Sequence, residues 1–417
     1  MLLSRHFSDL KWIARKGVSQ IALGKLARRP ERFSQGRPLI AGFHSSPIGL
    51  GEGVRLLRSG FEKLGLAPAV FDLTPGLQPE RALFEVAPAA DDDGLGPIIL
   101  HINPPEISKA LGILRRSYNL KQRYLIALWA WELPKAPPHW DFFSRWFDEI
   151  WTPSDFVCKA FEGRFATPVY NIGYPIPERG GRSSKWRERL NPAGGFTAFT
   201  ACDARSSVAR KNPEGALRAF LKAFSGNPSA RIIVKITGAI GDFPDSLQTL
   251  LRQDQVIVMD RFLSPREMQD LIGACDCAIN LHRAEGFGLV PALASRQGLP
   301  VVVTAWSGAA AYLDCPNIFG VDYHLTTVED PDGFYTASLG PWAEPDIEHA
   351  ASLLRDIAGM TSRDQKALSA RARQWWEENA DAHAFWRRLP ERSRSLMPDP
   401  RAYPVLMESK PGSKSLF

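Results

Sequence analysis

One stretch, residues 276–308 (DCAINLHRAEGFGLVPALASRQGLPVVVTAWSG), sets the terms for the rest of the chain. Residues 277–281 are an apolar run of strand length, 282–284 a turn, and from Glu285 onward the apolar spacing becomes helical. A second apolar run follows at 300–304. A strand that ends where a helix begins leaves backbone N–H groups unpaired, and Gly286 and Gly288 remove Cβ atoms that would hold a ligand away from them. Such a junction suits an anionic or hydroxyl-rich ligand, with the Glu285 carboxylate placed to accept hydrogen bonds from sugar hydroxyls. A plain βαβ unit with an acidic helix start gives the same spacing, since a lone Gly-x-Gly is weakly specific.

At 417 residues the chain exceeds one ordinary hydrophobic core and calls for two domains. Its 44% hydrophobic and 23% charged residues are those of a soluble protein, and no run approaches the ~20 apolar residues of a membrane span. The five cysteines (Cys158, Cys202, Cys275, Cys277, Cys315) are odd in number and lie in or beside apolar strands, so they are expected as buried thiols in a reducing cytoplasm. No His, Cys or carboxylate spacing suggests a metal site. Asp91, Asp92 and Asp93 precede a Gly-Leu-Gly-Pro turn and are expected as solvated loop acids.

The net charge of +6 resides wholly in residues 1–33, which carry eight basic and two acidic side chains. A neutral remainder argues against a nucleic-acid partner, whose phosphates would need basic folded surfaces. Leu3, Phe7, Leu10, Ile13 and Ala14 recur at helical spacing. Two readings stand for this basic amphipathic segment, taken as 1–35: a helix on an anionic membrane surface, or one packed on the body with a solvated basic face.

Further along, residues 37–44 read as a first strand, 45–53 (SSPIGLGEG) as its loop and 54–64 as a helix. The loop lacks the full Gly-x-Gly-x-x-Gly spacing of a dinucleotide site, so a nicotinamide-dependent oxidoreductase is a distant alternative. Strands at 69–73, 98–102, 149–154 and 168–175 complete a domain over 36–175, a linker follows at 176–194, and strands at 196–202, 231–237, 255–259, 277–281, 300–304 and 317–322 build a second over 195–360. Residues 342–357 and 362–386 read as helical, with 361–390 crossing back to the first domain and 391–417 a mobile tail. Ligands of parallel sheets gather at strand carboxyl ends. Those ends offer His101 and Asn103 at one junction, and Trp129, Trp131 and Glu132 at another. Glu132 suits orientation of an acceptor hydroxyl, and Trp131 a sugar face or packing beneath the cleft.

The segment EGFGLVPALASRQGLPVVVTAWSG, together with DARSSVARKNPEG at 203–215, resembles the donor-site motifs of the retaining glycosyltransferases of family 4. That resemblance implies an α/β, GT-B architecture: two Rossmann-like domains with parallel sheets facing across a cleft. It implies transfer of a hexose of mannose or glucose type, with retention, from a nucleoside-diphosphate sugar to a glycan or lipid-linked acceptor in cell-surface polysaccharide synthesis. No cofactor or metal is implied. Glu285 and the backbone of Gly286, Phe287, Gly288 and Leu289 would hold the sugar, and Arg210 and Lys211 the diphosphate, with Arg205 competing for the arginine role. Arg261, Phe262 and Leu263 would lie beside the base, Gly49 and Gly51 beside the transferred sugar, and His101, Asn103 and Trp131 on the acceptor side, with Glu132 as a catalytic candidate. The chain departs from the family at Leu293, where a second Glu is usual, and at Trp131–Glu132, where many members carry a histidine. A GT-B protein that binds nucleotide sugar or glycan without turnover is therefore the alternative. The expected location is the cytoplasm, at the inner membrane face if residues 1–33 bind lipid. In liposome flotation the intact chain then partitions onto anionic vesicles and a chain lacking 1–33 does not; equal partitioning removes the membrane reading.

Overall fold

The computed structural model describes residues 32–178, 184–237, 241 and 243–400. The basic N-terminal segment, apart from positions 32–35, and residues 401–417 lie outside the described residues. Six strands, β1 (Leu39–Gly42), β2 (Ala69–Asp72), β3 (Ile98–His101), β4 (Leu125–Leu128), β5 (Glu149–Thr152) and β6 (Val169–Asn171), form a first sheet in the order β2-β1-β3-β4-β5-β6. Six more, β7 (Thr197–Asp203), β8 (Arg231–Thr237), β9 (Val256–Asp260), β10 (Cys277–Asn280), β11 (Val301–Thr304) and β12 (Ile318–Val321), form a second in the order β12-β11-β10-β7-β8-β9. Every pairing in both sheets is parallel.

Parallel strands covered by helices on both faces read as unbroken apolar runs, which is why β1, β3, β4, β10 and β11 are buried along their whole length. Strand order reverses between β1 and β3 in the first sheet and between β7 and β10 in the second. Chain segments leaving the carboxyl ends there diverge to opposite faces and open a crevice. The two crevices face each other, and one cleft of about 410 Å³ is lined from both domains.

The ends of the chain lace the domains together. The Ser362–Ala380 helix packs on the second domain, where the Trp376 indole N–H donates to Ser295 Oγ at 2.7 Å. Asp381 ends it and caps the Ala382–Arg388 helix by accepting from the Ala384 N–H. That second helix lies on the first domain, with Phe385 edge-on to Phe61. The Ile176 N–H donates to the Ala380 carbonyl at 2.7 Å, so the two passages of the chain between domains touch.

Several local expectations are corrected. The first helix spans Gly49–Lys63 and starts inside the loop assigned to 45–53, because Gly53 lets it approach His101 and Tyr174 more closely than any Cβ would allow. The 176–194 linker contains a helix, Ser184–Leu190. Residues 342–345 are not helical; β13 (Tyr323–Thr326) and β14 (Trp342–Pro345) form an antiparallel ribbon, and the next helix starts at Ile347. The start of the presumed tail is a short helix, Glu391–Ser395, with Met397 buried behind it. Asp92 and Asp93 are not merely solvated: Asp92 pairs with the buried Arg123 at 2.7 Å and Asp93 accepts from the Arg37 N–H. Among the described residues no helix is long and apolar enough to cross a membrane, and no three His, Cys, Asp or Glu side chains assemble as a metal cage.

Burial lowers three histidines, His44, His101 and His282, from the ordinary 6.5 to about 4. Between those values the unfolded chain takes up protons that the folded chain refuses, so stability falls as pH drops from 6.5 toward 4, by about 3 kcal/mol per histidine over the whole interval. The melting temperature is expected to decline from pH 7 to 5, and His101→Gln to flatten part of that decline; equal pH slopes for the two proteins would contradict it.

Candidate functional site

The second sheet's switch point brings two turns side by side. After β7, Asp203 caps a short turn that leads to Ser207 and the Val208–Lys211 helix. After β10, residues 281–288 run into the Leu289–Arg296 helix. Three of the four non-glycine residues with positive φ among the described residues, Ser207, Asn212 and Ser307, hold these turns. Ser207 accepts from the Arg210 N–H and Ser307 from the Glu285 N–H, while Asn212 donates to the Leu281 carbonyl and caps the next helix. Such backbone conformations cost about 1–3 kcal/mol each, and here they aim Arg210, Lys211 and Glu285 at one point.

At that point the Lys211 ammonium lies 2.5 Å from Glu285 Oε1, and the Arg210 guanidinium 3.2 Å from Oε2. Burial alone would raise the Glu285 carboxyl, but Lys211 and Arg210 outweigh it and hold it down to about 2. The group is therefore an anion at neutral pH. Arg210 is almost wholly buried and also donates to the Ala284 and Ser206 carbonyls. Lys211 remains 22% exposed and faces the cleft, so of the two it is the cation free to change partners. Arg205, held by Asp203 at 3.0 Å, lines the same cleft with part of its guanidinium in solvent.

The excursion between β13 and β14 closes one side. Asp330 accepts from the Ser207 hydroxyl at 2.6 Å and from the N–H groups of Phe334 and Tyr335. Tyr335 lies over Arg210 and beside Trp131, and its hydroxyl is turned toward Glu132 of the first domain. The Lys135 N–H donates to the Leu339 carbonyl, and from the other edge the Ser154 hydroxyl donates to the Gly286 carbonyl at 2.6 Å.

Of the residues singled out in the sequence, Glu285, Lys211, Arg210, Arg205, Glu132, Gly286, Phe287, Gly288, Leu289, Leu263, Gly49 and Asn103 line this one cleft. Leu293 lines it too, beside Met268 and Ile272. Five others are placed elsewhere. His101 is fully buried, its Nδ1–H donating to the Leu128 carbonyl while Nε2 accepts from the Tyr174 hydroxyl, so it supports the cleft from below. Trp131 turns inward against Trp140 and donates to the Lys135 carbonyl, the packing arrangement of the two that the sequence left open. Gly51 packs against the Phe43 and Ser46 carbonyls. Arg261 pairs with Glu267 and lies on Trp186, whereas Phe262 stands at the rim with its ring over Arg205. The two motif glycines also have a reason other than ligand access: a Cβ on Gly288 would meet the Tyr312 hydroxyl at 2.5 Å, and one on Gly286 the Trp131 carbonyl at 3.1 Å. Sequence reasoning missed Lys235, Tyr174, Asp203 and the 327–341 excursion. A charged residue near the carboxyl end of an otherwise apolar strand was the signal available for Lys235.

Two Rossmann-like domains, a cleft between their switch points and a carboxylate gripped by adjacent cations define a GT-B protein. The chain belongs to the family described as family 4 glycosyltransferases in conflict systems, whose model matches residues 169–384, just over half of its length. It is 35% identical over 104 residues to a D-inositol 3-phosphate glycosyltransferase of Corynebacterium aurimucosum, covering 24% of this chain and 25% of that protein. It is 28% identical over 188 residues to the protein of the same name from Corynebacterium jeikeium, covering 43% and 41%. The chain thus matches well under half the length of these relatives. Among solved structures it resembles Anabaena Alr3699/HepE in complex with UDP and glucose (TM-score 0.55, 15% identity, 84% of this chain and 96% of that one). A glycosyltransferase from Rickettsia africae is similar at TM-score 0.55 and 11% identity, over 86% and 98%. At such identities the likeness is one of fold.

Glu285→Ala leaves the buried Arg210 cation without its carboxylate. Urea unfolding is expected to show a loss of about 3 kcal/mol. A loss below about 0.5 kcal/mol, the range of an ordinary surface change, would mean that the ion pair is not buried as described.

Proposed function

We propose that the chain is a glycosyltransferase that moves a hexose of mannose or glucose type, with retention and without a metal ion, from a nucleoside-diphosphate sugar to a glycan or lipid-linked acceptor. It would serve cell-surface polysaccharide synthesis from the cytoplasm, with residues 1–33 as its contact to an anionic membrane. The observation that carries the proposal is that Lys211 and Glu285, delivered by different strand ends, face one hollow at the switch point of the second sheet. The names of the Corynebacterium relatives support glycosyl transfer, and the UDP and glucose of the Anabaena complex support a nucleotide-sugar donor.

When the bond from the sugar C1 to the diphosphate oxygen breaks, the electron pair leaves with the diphosphate. Cations beside it, Lys211 and Arg205 with Arg210 behind, stabilise that growing charge. Glu285, an anion held in place, accepts from sugar hydroxyls. The acceptor oxygen joins C1 on the face the diphosphate leaves, and its proton passes to the departing phosphate. Glu132, steadied by Tyr335, orients the acceptor hydroxyl from the first domain.

Leu293 in the cleft wall favours a second reading, a protein that binds the donor without turnover. Incubation with UDP-, GDP- and ADP-hexoses, with and without glycan acceptors, separates the two. Release of free nucleoside diphosphate supports transfer, and tight binding without release supports the second reading. Neither binding nor release overturns both. Lys211→Ala is expected to cut turnover by about 100-fold, a far larger effect than its change in melting temperature.

A further inference from the structure

Lys235 belongs to neither of the two turns that carry Lys211 and Glu285. It stands near the carboxyl end of β8, between Val234 and Ile236, which are fully buried, and is itself only 9% exposed. An aliphatic side chain would satisfy the packing there. The ammonium nevertheless lines the cleft, where it donates to Thr237 Oγ1 at 2.6 Å and lies 5.9 Å from the exposed ring of Phe262. Among the described residues no carboxylate forms an ion pair with it; Asp203, at the end of the adjacent strand β7, is engaged by Arg205. An ammonium has three N–H donors and the hydroxyl takes one. Burial accordingly pulls Lys235 below its ordinary value, with Asp203 acting against that pull. A cation withdrawn from water with donors to spare, at a strand end in a cleft, is placed for an anion.

The order of the strands says which anion. Along the sheet, β10, β7, β8 and β9 follow one another. Their carboxyl ends present Glu285, then Arg205 and Lys211, then Lys235 and Thr237, then Leu263. Neighbouring strands lie about 4.8 Å apart, so the step from the β7 turn to Lys235 is comparable with the reach of a diphosphate between its outer oxygens. A ligand with its sugar at Glu285 and its leaving group extending toward β9 passes Lys211 first and Lys235 next.

We propose that Lys235 forms a second anion subsite of the donor cleft, holding the phosphate nearer the nucleoside, while Lys211 holds the phosphate that carries the sugar. This deepens, and rests on, the assignment of the cleft to a nucleoside-diphosphate sugar. Beyond Lys235 the wall is largely apolar, formed by Leu263, Pro265, Met268, Ile272 and Leu293. The leaving group is thus gripped chiefly through its two phosphates.

The test is calorimetric titration of the full chain. The tightest binder among UDP, GDP and ADP fixes the base, and the monophosphate and free nucleoside of that base are then titrated. Lys235→Met is expected to weaken diphosphate and monophosphate by the same factor, about tenfold, leaving the nucleoside unchanged; Lys211→Met should weaken the diphosphate by as much and the monophosphate by less than about twofold. Methionine suits the apolar strand, so the variant is expected to melt at or above the parent. Should it melt lower, Lys235→Gln carries the same comparison. Unchanged monophosphate binding in the Lys235 variants overturns the proposal, as does an equal loss for the free nucleoside, which would make Lys235 a reader of base or pentose. In both cases a loss on Lys211→Met leaves the donor assignment standing. No binding of any diphosphate by the parent chain overturns the two together.

Discussion

The ion pair of Glu285 with Lys211 and Arg210 is the contact on which the rest of the site depends. Its three charges come from two turns far apart in sequence, and each is withdrawn from water to a degree that only the others offset. The surrounding structure serves to keep them there. Strained serines fix the turns, Asn212 ties one to the other, and the Gly308 N–H closes on the Glu285 carbonyl at 2.8 Å. A carboxylate that needs two cations and a lysine that also faces open cleft make a site already charged for an incoming anion. A phosphate taking over Lys211 would leave Arg210 on Glu285 and free one carboxylate oxygen for a hydroxyl.

Much of the framework was legible because parallel strands buried on both faces are long apolar words with turn residues between them. The expected strand at 231–237 has the bounds of β8, and the strand–turn–helix around Glu285 is present, with its helix starting at Leu289 rather than at Glu285. The same property hides the faces. In an antiparallel, half-exposed strand, alternation tells inside from outside, whereas here His101 and Trp131 sit at strand ends next to the cleft and nothing in their neighbours shows that they turn inward. Lys235 was lost for the converse reason, as one polar letter in an apolar word.

Other misses have other causes. Residues 342–345 carry an apolar pattern compatible with a helix, but pairing with β13 decides for strand. Glycines within 49–53 suit a loop better than a helix start, yet close approach to Phe43 and Ser46 demands Gly51, and close approach to His101 and Tyr174 demands Gly53. Tertiary contact overrides local propensity in both places. The excursion that delivers Asp330 and Tyr335 has no periodicity at all, and its importance lies in contacts between residues more than a hundred positions apart.

The passages of the chain at Ile176 and Ala380 are joined by a hydrogen bond. Both tethers between the lobes therefore lie at one place, and a body held so has a hinge there and little freedom to slide. Relative movement becomes rotation about an axis near that joint, like the covers of a book about its spine, and the cleft lips farthest from it travel most for a given swing.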